Sequence, residues 1–245
     1  MSQKVDLEYA SEVVEKVESV FAEGAIPLVV LDLDLTLFDN RERTRAILRD
    51  FIHASMTDKR QQASALERLT GYDIVYSIQQ NMSAIGVEGE QFRKEGLPFW
   101  MERFFSDRYC VFDVPYGGAP EACGRLLSLG AHIVYLTGRY ADTQAAGTVK
   151  SLRHYGFPVA ELGTQLVMKT SRQESDYAYK RRVAETLVRL GTPVAAVDNE
   201  PGHCNTMSEL FPAASVAQFG NMHSPQAPQL ADGVKSLGDW AGFLL

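Results

Sequence analysis

The stretch "LVVLDLDLTLFDN", residues 28–40, joins an apolar run to two aspartates, Asp32 and Asp34. The apolar run predicts a buried strand, and residues two positions apart in an extended chain point to the same side. Both carboxylates can therefore face one ligand at the end of the strand. Because neighbouring carboxylates repel each other and lose hydration, a cation or a proton must offset their charge.

The rest of the chain predicts an α/β fold. Strand and helix patterns alternate from residue 118 onwards, and an amphipathic helix over residues 6–23 precedes the first strand. This alternation is typical of a Rossmann-like parallel sheet with helices on both faces. The later predicted strands are "HIVYLTGR", "TQLVMK", "PVAAVDN" and, as the last one, "AASVAQFG". The Pro-rich stretch "NMHSPQAPQLADG" that follows is typical of a surface loop.

Residues 41–112 have a different pattern. They contain long helical patterns, among them "RTRAILRDFIHASM" and "ASALERLTGYDIVYSIQQNM", and no convincing buried strand. We therefore expect an α/β core built from residues 1–40 and 113–245, with an α-helical insertion over residues 41–112.

Polar residues follow the predicted strands at the point where each one ends. Thr137-Gly138-Arg139 ends the second strand, Lys169 or Lys180 follows the third, and Asp198-Asn199-Glu200 ends the fourth. Ligands of open α/β sheets bind outside the carboxyl ends of the strands. Asp32, Asp34 and Asp198 would meet there, and a bound Mg²⁺ would make such a set of carboxylates stable while leaving room for a phosphate.

This series of motifs resembles the haloacid dehalogenase superfamily of Mg²⁺-dependent aspartyl-phosphate phosphohydrolases. The resemblance covers residues 27–40 and about 113–220, with "DLDLT", "YLTGR", a lysine and "VDN" in the family's order. It implies that the helical insertion is a cap domain that closes over the site and selects the substrate. A large cap favours a small phosphorylated substrate.

The resemblance also implies a role for each matching residue. Asp32 would be the nucleophile that forms the aspartyl-phosphate, and Asp34 would protonate the leaving oxygen and then activate water. Thr137 and the amide of Gly138 would bind phosphate oxygens. Asp32 and Asp198, with the backbone carbonyl of Asp34, would hold Mg²⁺.

Three positions keep alternatives open. In "VMKTSRQESDYAYKRR" an aspartate precedes Lys180 by four residues, as in the family, which favours Lys180 over Lys169 as the functional lysine. Arg139 is a candidate for clamping the substrate phosphate and equally for an ion pair on the surface. Thr36, at the end of the first motif, is a further substrate-binding candidate.

The fourth motif departs from the family pattern. Many members carry a second acid beside the first or four to five residues after it, where this chain has Asn199, Gly202 and His203. The resemblance therefore leaves open whether Asn199 or Glu200 acts through a metal-bound water. His203 and Cys204 have no partners at zinc spacing and are interpreted as structural.

Two groups of residues in the insertion have more than one interpretation. Arg41, Arg45 and Arg49 share a helix face that either attracts an anionic substrate or is simply solvated, and Ile47 and Phe51 would pack inward on the other side. An aromatic set is interpreted as cap core in preference to a substrate pocket: Phe99, Trp100, Phe104 and Phe105.

Composition argues against several classes of protein. The formal net charge of −7 is unlike that of a nucleic-acid binder. No stretch approaches the ~20 apolar residues that span a bilayer, and the N-terminal sequence lacks an apolar signal core. The three cysteines contain no CxxC pair, which is typical of reduced thiols. We therefore expect a cytoplasmic protein without a membrane or nucleic-acid partner. The sequence leaves its oligomeric state open.

The sequence thus predicts a Mg²⁺-dependent phosphomonoester hydrolase that acts on a small phosphorylated metabolite through an aspartyl-phosphate. Three alternatives use the same site: a phosphomutase, a polynucleotide or nucleotide phosphatase, and a non-catalytic protein that binds a phosphorylated metabolite.

Overall fold

A computed structural model describes residues 2–55, 59–68 and 73–245 of the chain. Its centre is a six-stranded sheet in the order β5-β4-β1-β6-β7-β8, with every neighbouring pair parallel. A separate antiparallel pair joins β2 to β3. The strands are β1 Pro27–Leu31, β2 Phe38–Asp39, β3 Val114–Pro115, β4 His132–Tyr140, β5 Thr164–Lys169, β6 Thr192–Asp198, β7 Ser215–Phe219 and β8 Lys235–Leu237.

One helix precedes the first strand, and helices alternate with strands from residue 118 to the seventh strand, as the pattern predicts. The helices are α1 Ser2–Ala22, α2 Arg41–Ser55, α3 Lys59–Arg68, α4 Ile78–Ala84, α5 Gly89–Gln91, α6 Leu97–Phe104, α7 Ala119–Ser128, α8 Ala141–His154, α9 Asp176–Leu187 and α10 Pro201–Leu210. A π-helical turn, Phe92–Gly96, connects α5 to α6, and 3-10 turns span Asp107–Phe112 and Ala241–Leu244.

The sheet is buried on both faces, which explains why β1 is apolar at every position. Val29 and Leu31 of β1 pack against α1 and α7 in one core cluster. Leu28 and Val30 point to the opposite face, where they pack against α9 and α10 in a second cluster. The predicted α/β fold class is therefore confirmed.

The edge strand β8 is a correction to the sequence interpretation, which ended the sheet at the strand now labelled β7. Residues Lys235–Leu237 pair in parallel with β7. This segment is too short and too polar to give a strand pattern by itself, so its pairing with the neighbouring strand makes it extended.

The insertion between β2 and β3 contains α2 to α6 and has its own apolar core. Phe51, Met82 and Ile85 are completely or almost completely buried there. The pairing of β2 with β3 brings the two ends of the insertion together where they meet the α/β core. Ile47 and Phe51 pack inward as predicted.

The pattern "ASALERLTGYDIVYSIQQNM" does not form one helix. Helix α3 ends at Arg68, residues 69–72 lie outside the described residues, and α4 begins after Ser77, whose side chain caps it. Asn81 donates to the carbonyl of Val75 at 2.8 Å and accepts from its amide at 3.0 Å. These bonds satisfy a non-helical backbone at Val75, which the apolar periodicity does not reveal.

In the described parts of the chain, no helix has the length and apolarity needed to cross a membrane. Cys110, Cys123 and Cys204 are buried free thiols. The cytoplasmic location stays a prediction.

Glu12 gives the fold a testable dependence on pH. It accepts hydrogen bonds from Lys235 of β8 and from the hydroxyl of Ser215 of β7 at 2.6 Å, and so ties α1 to the sheet. The contact with Lys235, followed by that with Ser215, lowers the pKa of Glu12 to about 2. Because folding lowers this pKa, the stabilisation is present above the unfolded pKa and is lost as the pH falls towards 2.

We expect Glu12→Gln to lower the free energy of unfolding by about 1 kcal/mol at pH 7, since the side chain is 35% exposed and solvent screens its contacts. Denaturant unfolding at pH 7 and pH 3 measures the difference, which should shrink at the lower pH. Glu15→Gln, at an exposed position of the same helix, is the control. An equal loss at both pH values would contradict the assignment.

Candidate functional site

The carboxyl ends of β1 and β6 bring two carboxylates to a single lysine. Asp32 follows β1, Asp198 ends β6, and Lys180 lies near the start of α9. The Nζ atom of Lys180 donates to Asp32 Oδ1 at 2.7 Å and to Asp198 Oδ2 at 2.6 Å. All three side chains are buried. Lys169 instead donates to Asp176 at 2.5 Å, so the structure brings Lys180 to the two aspartates.

A tight turn after β1 fixes the orientation of Asp32. The amide of Asp32 donates to the carbonyl of Val197 at 3.0 Å. Leu35 has a φ of 61°, a left-handed conformation that costs a non-glycine residue of order 1 kcal/mol. This conformation lets Thr36, which is buried, donate its hydroxyl to Asp32 Oδ2 at 3.1 Å. Thr36 thus contacts the proposed nucleophile.

Burial and charge act in opposite directions on these groups. Burial raises the pKa of Asp32, and the negative charge of Asp198 adds to the rise, against the ammonium of Lys180. Burial would also raise the pKa of Asp198, but Lys180 and His203 outweigh it and hold that pKa below its ordinary value. The two carboxylates in turn raise the pKa of Lys180 against its burial. The two carboxylates therefore favour the protonated form of Lys180.

Asp34 lies in a different environment, between two arginines. Arg139 donates to both oxygens of Asp34, at 2.9 and 2.7 Å, and Arg43 of α2 donates to Asp34 Oδ1 at 3.0 Å. Both arginines also donate to Asp113, which is buried. Two buried cations are thus paired with two carboxylates, and this charge network connects α2 of the insertion to β4 of the core.

This network separates two roles that the sequence leaves open for Arg139. Its guanidinium donates to Asp34, to Asp113 and, at 3.1 Å, to Thr148 Oγ1. The structure therefore shows an ion pair, and it is buried in the protein rather than on its surface. A phosphate clamp would require Arg139 to leave these partners.

The same network shifts the pKa of Asp34 downwards, whereas a general acid is helped by a raised pKa. Burial would raise the pKa of Asp34, but the charges of Arg139 and Arg43 outweigh it and hold the pKa well below its ordinary value. A group that releases a proton to a leaving oxygen works best with a pKa near the working pH. Asp34 is instead held as a carboxylate, the form that accepts a proton.

Arg43 is a site residue that the sequence interpretation missed. It is spaced by four residues from Ile47 and by eight from Phe51, so it lies on the buried face of α2. A charged residue on an apolar helix face needs a buried partner. The position of Arg43 on the apolar face of the predicted helix could therefore have indicated a buried ion pair.

The second motif places a glycine at the cavity wall. Thr137 is buried, and its Oγ1 accepts from the amide of Arg139 at 3.2 Å. Gly138 lines the cavity described below, and a Cβ atom there would lie 2.7 Å from Asp176 Oδ2. Any side chain at this position would therefore have to displace the carboxylate of Asp176, and glycine leaves the backbone accessible from the cavity.

The donor set is chemically suited to Mg²⁺. Within the described residues, no three His, Cys, Asp or Glu side chains converge in a preformed metal cluster. Mg²⁺ does not require one, because it retains several waters and binds through one or two carboxylates. Asp32 and Asp198 supply two carboxylates, and a cation beside Asp32 would offset the rise of its pKa.

The residues after Asp198 form its immediate surroundings. The amide of Glu200 donates to Asp198 Oδ1 at 2.9 Å, and His203 Nδ1 lies 3.2 Å from the same oxygen. The carboxylate of Glu200 accepts from the amide and hydroxyl of Ser224, and the amide group of Asn199 donates to Met222. Asn199, Glu200 and His203 all line the cavity, so His203 is part of the site as well as of α10.

A cavity of about 610 Å³ lies between the insertion and these strand ends. Asp32, Lys180 and Gly138 line its core side. Arg41 lines it too and is paired with Asp39. Arg45 and Arg49 instead line a second cavity of about 280 Å³ beside α3. The three arginines therefore do not share one substrate-facing surface.

The buried charge network predicts a large effect of removing Arg139. Arg139→Met would leave the buried Asp113 and the partly buried Asp34 with Arg43 as their main cation, so we expect the free energy of unfolding to fall by about 3 kcal/mol. Denaturant unfolding tests this. Arg172→Met, which removes an exposed ion pair with Asp142, should cost less than about 1 kcal/mol. Similar small losses in both variants would show that the network is not strongly coupled to folding.

Comparison with known proteins gives matches of structure and none of sequence. No protein-family model and no curated protein sequence matches the chain. A presumed phosphatase from Clostridium difficile is 14% identical with a TM-score of 0.60, covering 87% of this chain and 94% of that protein.

Two further solved structures match at a similar level. Protein tyrosine kinase A from Mycobacterium tuberculosis is 15% identical with a TM-score of 0.56, covering 89% of this chain and 96% of that protein. A haloacid dehalogenase superfamily hydrolase of subfamily IA from Geobacter sulfurreducens is 13% identical with a TM-score of 0.54, covering 89% and 95%. The chain thus has the fold of the haloacid dehalogenase superfamily.

Proposed function

We propose that this protein is a Mg²⁺-dependent phosphomonoester hydrolase that acts on a small phosphorylated molecule through an aspartyl-phosphate. The observation that carries the proposal is the contact of Asp32 with Lys180 at the wall of the cavity, with Asp198 on the same lysine. Burying two carboxylates with one cation costs desolvation free energy that apolar side chains would avoid, so this arrangement is more typical of a functional site than of a structural core.

In this proposal Asp32 attacks phosphorus, the bond from phosphorus to the alcohol oxygen of the substrate breaks, and the leaving oxygen takes a proton from Asp34, once that group is protonated, or from water. Lys180 holds one oxygen of Asp32 and supplies positive charge near the phosphoryl group. The amide of Gly138, at the cavity wall, and the hydroxyl of Thr137 are the proposed donors to phosphate oxygens. Water then attacks the aspartyl-phosphate and releases phosphate.

Asp34 has the proposed task of handling the proton. As the carboxylate held by Arg139 and Arg43, it can accept the proton of the attacking water. It would need to take up a proton before it could protonate a leaving oxygen. The arginines therefore favour its role in the second step.

The carboxylates of Asp32 and Asp198 and the backbone carbonyl of Asp34 would hold the metal ion. When bound, Mg²⁺ would lower the repulsion between Asp32 and the incoming phosphate and stabilise the charge of the transition state.

Phosphate release from an aryl phosphate tests the reaction class. We expect wild-type protein to release phosphate with Mg²⁺ and to lose this activity in EDTA, and Asp32→Asn to lose at least about 10³-fold because the nucleophile is gone. Asp142→Asn, at an exposed position of α8, is the control. Undiminished release by Asp32→Asn would contradict the proposal, and binding of phosphorylated metabolites without turnover would favour a binding protein.

The two candidate lysines give a matched comparison. Lys180→Met should abolish phosphate release, because Asp32 and Asp198 lose their shared cation, whereas Lys169→Met removes a contact with the half-exposed Asp176. We expect Lys169→Met to keep activity within about tenfold of wild type. Circular dichroism of both variants checks their folding. The reverse order of activities would assign the role to Lys169.

A further inference from the structure

The cavity has a charged end and an apolar wall. Its charged end is formed by the strand ends of the core, with Asp32 and Lys180. The opposite wall comes from the insertion and is mainly apolar, although the polar Thr44, Ser77 and Gln79 also contribute to it. Its large apolar side chains are Ile78, Phe92, Leu97, Trp100, Phe104 and Phe105. A phosphate bound near Asp32 would therefore direct the rest of its molecule towards this wall.

The aromatic residues of this wall pack against one another. The rings of Trp100 and Phe104 stack with centroids 4.3 Å apart, and Phe105 meets both rings edge to face. Tyr140 of β4 supports Phe105 from the core, with centroids 5.2 Å apart. Of the four aromatic residues interpreted as cap core, only Phe99 lies outside the cavity lining, packed on Phe51.

The cations that line the cavity already have carboxylate partners. Among the described lining residues, Lys180 pairs with Asp32 and Asp198, Arg139 pairs with Asp34 and Asp113, and Arg41 pairs with Asp39. His203 lies against Asp198.

The lining also contains the carboxylates of Asp176 and Glu200. Among the described residues of the lining, a second anionic group on the substrate would find no lysine or arginine that is free of a carboxylate. It would also lie near these two carboxylates, and an unpaired charge in a partly desolvated site is costly.

From this cavity we infer the substrate class: a phosphomonoester whose leaving group is an uncharged aromatic or otherwise apolar alcohol. The inference rests on the proposed function and deepens it. The aromatic wall supplies contact area and offset-stacking partners for a ring. The volume of about 610 Å³ has room for a body larger than a triose. A sugar phosphate or a substrate with a carboxylate would leave the apolar wall without a matching surface.

Matched substrates test this inference. With phenyl phosphate as reference, we expect 1-naphthyl phosphate to show an equal or higher kcat/KM, and 4-carboxyphenyl phosphate and glucose 6-phosphate to show a kcat/KM at least about tenfold lower. A higher kcat/KM for either of the last two would overturn the inference while leaving the proposed phosphatase intact.

Variants of the wall test its role directly. In Trp100→Ala, and in the milder Phe105→Leu, the ratio of kcat/KM for phenyl phosphate to that for acetyl phosphate should fall, by about tenfold for Trp100→Ala. Phe21→Ala, at an exposed position of α1, should leave this ratio unchanged. Ile78→Lys should raise turnover of 4-carboxyphenyl phosphate relative to phenyl phosphate. Ratios that stay constant in all three wall variants would overturn the inference.

A binding measurement separates failure of this inference from failure of the proposed function. If wild-type protein hydrolyses none of these compounds, including acetyl phosphate, the phosphatase proposal fails. Calorimetric titration of Asp32→Asn with 1-naphthyl phosphate and with glucose 6-phosphate still decides the ligand class. Tighter binding of the naphthyl compound supports the apolar wall, and equal or weaker binding overturns it.

Discussion

The shared contact of Lys180 with Asp32 and Asp198 is the interaction on which the site depends. Parallel strands β1 and β6 are neighbours, so their carboxyl ends bring these two aspartates together. Without a cation, two buried carboxylates that are close enough to contact the same ammonium group would repel each other and lose hydration. Helix α9 supplies that cation from its second turn and packs its apolar face on the sheet. Folding of the sheet and formation of the charged site are therefore coupled.

A second charge network connects the insertion to the core. Arg43 from α2, Arg139 from β4, Asp34 and Asp113 are held together by direct hydrogen bonds. Because Arg43 belongs to the insertion, the position of α2 affects the hydrogen bonds of Asp34. The insertion thus does more than cover the cavity, since it also helps to fix a carboxylate beside the proposed nucleophile.

Much of the core could be predicted from sequence because its signals are local. The apolar run before Asp32 marks β1, and the four-residue spacing from Asp176 to Lys180 favoured the lysine that the structure brings to Asp32. Strand β8 gave no such signal, because three residues become a strand only through pairing with β7. The break between α3 and α4 depends on side-chain bonds of Asn81 to the Val75 backbone, which periodicity does not show.

The network around Asp34 is harder to predict for a different reason. Arg43 and Asp113 are separated by 70 residues, and they meet because the insertion returns to its starting point through the pairing of β2 with β3. Arg41 and Arg45 flank Arg43 in the sequence, so only its place on the buried face of α2 distinguishes it. The wall formed by Trp100, Phe104 and Phe105 is also hard to predict from sequence. Aromatic residues at this spacing fit an apolar core and a cavity wall equally well.

The most direct measurement is to trap the covalent intermediate. Protein mixed with an excess of aryl phosphate and Mg²⁺, then quenched in acid within milliseconds, can be digested and analysed by mass spectrometry. We expect the mass of one phosphoryl group on the peptide that contains Asp32, formed and lost at rates consistent with turnover. Turnover without any adduct, or an adduct on another residue, would contradict the assignment of Asp32 as the nucleophile.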